Sequence, residues 1–285
     1  MTTTASTSPQ PTTFAHASEP CAMGEFCWFE CNSHNQPAAE KFYSTLVSGT
    51  AMASPESPFP YTILSCGGHP MMGMMETDAT FQSDVPAHWM GYIAVADLDA
   101  ACVNVPALGG TVCVAPTDIQ TGRFSVITDP TGAVVSLFQS HECKTDGVNW
   151  FGPGLVGWNE LMSSDPKVAA DFYCKLLGWT PTETNTLGFP YWMFSSNGRT
   201  VGGMMAKRAE DKSPRSYWLQ YVQTLDLNAS VALAKSLGGT ALCDSMDIPG
   251  IGRTAYFTDP NGAPFALWQP PKARGCCSSG GCGCG

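Results

Sequence analysis

Two glutamates, Glu30 and Glu160, are the residues of this chain best suited to acid–base chemistry. Each follows a tryptophan by two positions, Trp28 or Trp158, in a segment predicted to be a strand. Side chains two apart on a strand share a face, so each carboxyl lies beside an indole ring. An apolar wall raises a carboxyl pKa, which suits a general base near neutral pH or an acceptor for a bound ligand. A buried glutamate that only fixes the sheet, through a bond to tyrosine or backbone, is the alternative.

Four cysteines near the end of the chain could do a different chemistry. Cys276, Cys277, Cys282 and Cys284 lie in a Gly- and Ser-rich segment. Thiols on such a flexible segment can wrap one soft ion, so Cu or Zn is the cofactor predicted there. Their spacing matches no standard zinc-finger pattern, and a thiol-rich end that oxidises or tethers two chains is the alternative.

The other nine cysteines stand mostly in apolar surroundings and are predicted to be reduced and mostly buried. Cys27 and Cys31 flank Trp28 and Glu30 on the same predicted strand. Alternation therefore sends both thiols to the opposite, helix-packed face.

An internal repeat relates the two halves of the chain. Trp28 matches Trp158, the Phe-Tyr pair at 42–43 matches that at 172–173, and Gly-Met-Met at 73–75 matches 203–205, all offset by 130. The segments "GRFSVITDPTGAVVSLFQSH" at 122–141 and "GRTAYFTDPNGAPFALWQPP" at 252–271 follow the same register. So many matches in register indicate a duplicated module.

Each module is predicted to have the order β-α-β-β-β with an added helix before the last strands. The helix at 166–177 has an Asp as its N-cap and Pro166 at its first position, and Asn197-Gly198 predicts a hairpin turn. We predict a disordered leader at 1–22, a first module at 23–141 and a linker at 142–153. A second module at 154–272 and a tail at 273–285 follow.

This arrangement resembles the vicinal oxygen chelate superfamily of glyoxalases, bleomycin-resistance proteins and extradiol dioxygenases. The resemblance covers about residues 24–140 and 154–271. It implies an α+β fold of two tandem βαβββ modules packed as a pseudo-dimer, each module curling its sheet around a cavity.

The same resemblance implies where a metal would be held. The three ligand positions fall at Trp28, Met90 and Ser136 in the first module and at Trp158, Leu219 and Ala266 in the second. None of these side chains suits Zn, Ni, Fe or Mn. His88 is the nearest alternative donor, and residues 151–275 contain no histidine. The usual metal site is therefore predicted to be absent from both modules.

If the tryptophans occupy ligand positions, alternation assigns further residues to each cavity. Glu30 and Glu160 then face inward with the predicted ligand-binding residues, which are Trp28, Tyr92, Phe138, Trp158, Tyr221 and Trp268. These aromatic side chains could alternatively fill the cavities and leave no site.

Composition limits the partners. The formal net charge is −10 and only 13% of residues are charged, which argues against nucleic acid or anionic membrane. No apolar run is long enough to span a bilayer. The first 20 residues lack the basic start and apolar region of a secretory signal, so a cytoplasmic protein is predicted.

Three functions stay open from the sequence. The first is a glyoxalase- or bleomycin-resistance-like protein that binds a small hydrophobic or aromatic molecule in metal-free cavities. The second is an enzyme, a lyase, isomerase or dioxygenase, that uses Glu30, Glu160 or an unorthodox metal site. The third is a resistance protein that sequesters a compound without turnover. Either a monomer or a homodimer fits, because two modules in one chain can complete a pseudo-dimer.

Overall fold

The computed structural model describes residues 23–271 apart from 55, 56, 58, 78–84, 142–150 and 186. The predicted leader, most of the predicted linker and the predicted tail, including its four cysteines, lie outside the described residues.

The first module forms one sheet with two helices among its described residues. Its elements are β1 (Phe26–Ser33), α1 (Gln36–Leu46), β2 (Thr50–Ala53), β3 (Tyr61–Cys66), β4 (His69–Glu76), β5 (His88–Ala94), α2 (Leu98–Ala107), β6 (Thr111–Ile119), β7 (Gly122–Thr128) and β8 (Val134–Ser140). The strand order is β2-β3-β4-β1-β5-β8-β7-β6.

The second module repeats this plan. Its elements are β9 (Val156–Ser163), α3 (Pro166–Leu177), β10 (Thr180–Thr184), β11 (Tyr191–Ser196), β12 (Arg199–Ala206), β13 (Tyr217–Gln223), α4 (Leu227–Ser236), β14 (Thr240–Ala241), β15 (Met246–Ile248), β16 (Gly252–Thr258) and β17 (Pro264–Gln269). The order is β10-β11-β12-β9-β13-β17-β16-β14, and β15 pairs with β16.

The α+β class and the tandem modules are confirmed, and each module runs through the β-α-β-β-β succession twice. In the first module, β1 pairs in parallel with β4, and β5 pairs in parallel with β8. The two successions join through the antiparallel pair β1 and β5. The helix that the sequence suggested as an addition is therefore the helix of a second such unit.

Local chemistry explains where these elements begin and end. Asp165 caps α3 by accepting from the backbone N–H groups of Lys167 and Val168, and Gly178 ends the helix with φ of 70°. Asn197 and Gly198 have φ of 50° and 79°, as a tight hairpin turn between β11 and β12 requires.

A continuous hydrophobic core joins the two modules. It contains residues from both sheets and from all four described helices. Phe42 of α1 lies edge-on to Phe265 of β17, in the other module, with ring centroids 5.8 Å apart, and both side chains are fully buried. One face of each sheet therefore points into a shared interior.

The Asp-Pro-x-Gly turn of the second module also holds the first module. Asp259 Oδ1 accepts from the backbone N–H groups of Asn261 and Ala263, which closes the turn. Its Oδ2 accepts from the Tyr43 hydroxyl at 3.1 Å, and that hydroxyl accepts from Trp89 Nε1 at 2.8 Å. One carboxylate thus binds its own turn and a helix of the opposite module.

In the part of the chain described here, no helix combines the length and apolar character needed to cross a bilayer.

Candidate functional site

Each sheet turns its other face away from the shared core, and we call these two faces the first cup and the second cup. The first cup carries Trp28, Glu30, Tyr61, Tyr92 and Phe138. The second cup carries Trp158, Glu160, Tyr191, Tyr221, Tyr256 and Trp268. Apart from Glu30, Tyr61 and Glu160, these residues belong to two apolar clusters that are separate from the shared core.

Strand register brings the predicted residues together. In the second cup, Tyr221 of β13 is the neighbour of Trp158 on one side and of Ala266 on the other. In the first cup, Tyr92 lies in the same way between Trp28 and Ser136. The predicted positions therefore meet across three adjacent strands in both modules.

A chain of hydrogen bonds surrounds Glu160 in the second cup. Tyr191 donates to Glu160 Oε1 at 2.8 Å, and Tyr221 donates to Oε2 at 2.5 Å. Trp158 Nε1 donates to the Tyr191 hydroxyl at 3.0 Å. The Tyr221 and Tyr256 hydroxyls lie 2.9 Å apart. The buried carboxylate thus has a donor on each oxygen, and each donor has a partner of its own.

A glycine makes the contact between Tyr191 and Glu160 feasible. Gly203 of β12 is the strand neighbour of Glu160. A Cβ at this glycine would lie 1.9 Å from the Tyr191 hydroxyl oxygen, so no side chain fits while the ring crosses β12. Gly73 has the same relation to Tyr61 in the first cup.

The first cup repeats the central part of this arrangement. Tyr92 donates to Glu30 Oε2 at 2.7 Å, and Trp28 Nε1 donates to the Tyr61 hydroxyl at 2.9 Å. Tyr61 also lies close enough to Glu30 for each group to influence the pKa of the other. Both predicted glutamates are therefore bonded to tyrosine, as the structural alternative requires, and both face a cup, as the functional hypothesis requires.

Burial dominates the ionisation of both carboxyls. It raises the pKa of Glu160 and of Glu30 above the usual 4.5. Hydrogen bonds from tyrosine favour the ionised form and lower both pKa values, but the effect of burial is larger. The tyrosine pKa values rise for the same reason and because a glutamate charge is near; that of Tyr256 rises to about 12. Each carboxyl thus takes up a proton more readily than it would in water.

The two cups differ on the strand before the last one, which is β7 in the first module and β16 in the second. The second cup has Thr254 and Tyr256 where the first has Phe124 and Val126, at the same offset of 130. A second phenol therefore extends the hydrogen bonds of the second cup, whereas in the first cup the hydroxyl beside Tyr92 is that of Ser136, which also donates to the Ser125 carbonyl.

The two remaining predicted aromatic residues lie at the edges of these clusters. Phe138 is half-buried and packs against the apolar cluster of the first cup. Trp268 is buried, packs in the second cup, and donates its indole N–H to the Ile251 carbonyl at 2.9 Å.

Sequence reasoning missed Tyr61, Tyr191 and Tyr256. The repeat itself contained the sign of the first two, because Pro-Tyr occurs at both positions, and each lies on a strand paired with a Gly-Met-Met segment. Tyr256 has no counterpart in the first module, so the repeat pattern does not single it out.

A metal like those of related enzymes does not fit the residues at the mapped positions. Trp, Met and Ser meet in the first cup, and Trp, Leu and Ala in the second, and none offers a carboxylate, imidazole or thiolate. Among the residues described by the structure, no group of three or more His, Cys, Asp or Glu is placed to hold an ion. His88 instead lies with its Nδ1 2.8 Å from the Pro86 carbonyl.

Comparison with known proteins places the chain in a family. A family model for a glyoxalase-like domain matches residues 160–268, which include every residue of the second cup except Trp158. The chain is 32% identical over 253 residues to "Putative glyoxylase CFP32" of Mycobacterium bovis, covering 85% of this chain and 94% of that protein. It is 30% identical over 261 residues to anthracycline biosynthesis protein DnrV of Streptomyces peucetius, covering 86% and 93%. The chain therefore belongs to the glyoxalase-like proteins of the vicinal oxygen chelate superfamily.

Solved structures agree with this at the level of the fold. The Mn(II)-bound glyoxalase of Novosphingobium aromaticivorans superimposes with a TM-score of 0.58 at 15% identity, covering 87% of this chain and 82% of that one.

Proposed function

We propose that the protein binds a small, largely aromatic organic molecule in its cups. One observation carries this proposal: each cup has a buried glutamate, bonded by tyrosine hydroxyls, beside a half-exposed tryptophan. Aromatic walls supply contact area for a flat apolar ligand, and a few fixed polar groups orient it. The name of DnrV, which places that relative in anthracycline biosynthesis, supports an aromatic ligand.

Turnover of the bound molecule is the second candidate function. The raised pKa of Glu160 favours it, because a carboxylate whose pKa lies above the usual glutamate value is a stronger general base. A lyase, an isomerase or a dioxygenase would use such a group differently, and the third candidate, sequestration, needs none of this chemistry.

Glu160→Gln separates these candidates, with Glu183→Gln as the control because Glu183 is exposed on β10. Binding of 1-naphthol is followed by tryptophan fluorescence, and turnover is followed by product analysis of a panel of hydroxylated aromatic compounds. In an enzyme, Glu160→Gln abolishes turnover while 1-naphthol still binds. In a sequestering protein, neither variant yields product and binding weakens only several-fold. Unchanged binding and unchanged turnover would remove Glu160 from the site.

A soft metal at Cys276, Cys277, Cys282 and Cys284 stays a proposal, supported by the clustering of four thiols. Elemental analysis of the full chain and of a chain ending at Pro271 tests it. Metal in the full chain alone supports the tail site. Stoichiometric metal in the shortened chain would mean that the residues of the cups hold an ion after all.

A cytoplasmic setting stays a proposal, supported by thiol state. The seven cysteines within the described residues are free, which fits the reducing cytoplasm. The net charge of −10 supports a small-molecule partner over nucleic acid or an anionic membrane surface. A monomer or a homodimer is compatible with two modules that share one core.

A further inference from the structure

We propose that Tyr256, Tyr221 and Glu160 form a proton relay in the second cup, which selects ligands carrying an acidic hydroxyl group such as phenols and enols. The proposal rests on the proposed function, since it needs a ligand in this cup. It adds the class of ligand and the direction in which a proton moves.

The hydrogen-bond geometry fixes the direction of the chain when Glu160 is ionised. A carboxylate only accepts, so Tyr221 must donate its proton to Oε2. Each tyrosine hydroxyl has one proton, so the 2.9 Å contact requires Tyr256 to donate to Tyr221. The Tyr256 oxygen then has two lone pairs, of which the neighbouring Thr254 hydroxyl can use one and a ligand the other. Tyr256 is half-buried and is the last residue of this hydrogen-bonded series, so it accepts a hydrogen bond from a ligand.

The direction reverses when Glu160 is protonated. The carboxylic acid donates to Tyr221, Tyr221 donates to Tyr256, and the Tyr256 proton points outward. Tyr191 does not take part in this reversal, because its hydroxyl accepts from Trp158 Nε1 and donates to Oε1. The protonation state of one buried carboxyl thus sets whether the cup presents an acceptor or a donor.

Transfer of a proton along the relay balances without another reactant. A ligand hydroxyl gives its proton to Tyr256, Tyr256 gives its own to Tyr221, and Tyr221 gives its own to the Glu160 carboxylate. The ligand becomes an oxyanion, Glu160 becomes a carboxylic acid, and both tyrosines end as neutral phenols. Burial of Glu160 favours this outcome because it disfavours the charged carboxylate.

Other ionisable groups around Glu160 do not supply the same path. Those facing it are Tyr191 of β11, Tyr217 and Tyr221 of β13, Tyr256 of β16, and Arg208, which follows β12. Tyr217 donates to Asp211 at 2.9 Å and is not part of the relay. Arg208 is exposed and acts on Glu160 only through its charge.

The first cup serves as an internal comparison. Glu30 and Tyr92 match Glu160 and Tyr221, and their oxygens are 2.7 Å apart. Val126 stands where the second cup has Tyr256, so Tyr92 has no second phenol beside it and its hydroxyl neighbour is Ser136 instead. Both cups have the pair of a carboxyl and a tyrosine, but only the second cup has the further phenol of Tyr256. The two cups therefore have different ligand preferences.

Two matched probes test the relay: 1-naphthol, which donates a hydrogen bond, and 1-methoxynaphthalene, which cannot. Affinities of the full chain for both are measured over a pH series that starts at 4.5, the usual glutamate value, and extends upward as far as the chain stays folded. As pH rises through the Glu160 pKa, Tyr256 changes from donor to acceptor. The preference for 1-naphthol should therefore increase about 3- to 10-fold, the value of one neutral hydrogen bond. Tyr256→Phe and Glu160→Gln should each abolish this increase, and Tyr217→Phe should keep it.

The outcomes separate the two proposals. If neither probe binds the wild-type chain saturably, the proposed binding function is wrong. If both bind but the preference in Tyr256→Phe follows pH as in wild type, the relay is wrong and binding stands. A preference shifted equally at every pH by Tyr256→Phe would mean an ordinary hydrogen bond without proton relay. Circular dichroism of each variant verifies folding. Glu160→Gln tests the relay at its other end, so the proposal stays testable if Tyr256→Phe does not fold.

Discussion

Buried carboxyls are the residues whose ionisation most affects this protein. Glu30 and Glu160 in the cups, and Asp129 and Asp259 in the two turns, all have pKa values raised by burial. A raised pKa means that the folded chain holds a proton that the unfolded chain has already released. The stability that each contributes is complete at low pH and declines as pH rises.

Glu160→Gln should flatten part of this pH dependence. In wild type, the free energy of unfolding should fall as pH rises from 4.5, the usual glutamate value, through the raised pKa of folded Glu160. Glutamine does not titrate, so the variant loses that contribution. Urea unfolding at a series of pH values measures both slopes. A variant with the same slope as wild type would show that the folded pKa of Glu160 is not raised.

The sequence predicted the main residues of the cups but not their hydrogen-bond partners. Trp28, Glu30 and Tyr92 follow from the repeat, from alternation and from a family resemblance. Tyr61 lies near Glu30 only because β3 pairs with β4 and Gly73 leaves room for its ring. That contact depends on strand order, which alternation within one strand does not reveal.

At the scale of elements, alternation fails at a bulge. Cys31 lies in the shared core as expected, next to Asp259. Cys27 does not, because the register of β1 shifts between Phe26 and Trp28. Its side chain joins the cluster of the first cup, and its thiol contacts the Tyr92 carbonyl at 3.4 Å. A bulge inserts one residue and reverses the faces beyond it, so the prediction for Cys27 is wrong.

Helix caps were predicted from short motifs and can be tested singly. Asp165→Ala removes the acceptor for two backbone N–H groups of α3 and should lower the free energy of unfolding by about 1 kcal/mol. Asp171→Ala in the same helix removes only an exposed ion pair with Lys175 and should cost less than about 0.5 kcal/mol. Chemical denaturation of both variants measures the difference. Equal losses would contradict the capping role.

At the scale of the whole molecule, the two modules are joined by a hydrogen bond between residues that belong to short, weakly specific sequence motifs. Tyr43 belongs to a Phe-Tyr helix pair and Asp259 to a turn, and their contact spans 216 positions. Repetition of both motifs indicated duplication. It did not show that the turn of one copy binds the helix of the other, because this depends on how the copies pack.

Tyr43→Phe should therefore destabilise both modules together. It removes the donor to Asp259 and leaves the buried Trp89 N–H without its acceptor, which should cost about 1–3 kcal/mol. In calorimetry, wild type and variant should each unfold in one thermal transition, because the core is continuous. Tyr217→Phe, whose hydroxyl bonds only to the partly exposed Asp211, should cost less. Two separate transitions in wild type would contradict a shared core.

The central claim is that aromatic molecules bind in the cups, and fluorine NMR of the chain labelled with fluorotryptophan tests it most directly. The chain has 8 tryptophans. Trp28 and Trp158 lie half-exposed in the cups, whereas Trp89 and Trp218 are buried in the shared core and bonded to tyrosines. Replacing each by phenylalanine assigns its resonance, and 1-naphthol is then titrated. The account predicts saturable shifts at Trp28, Trp158 or both, and little change at Trp89 and Trp218. Shifts confined to the core tryptophans, or no saturable shift at any tryptophan, would contradict it.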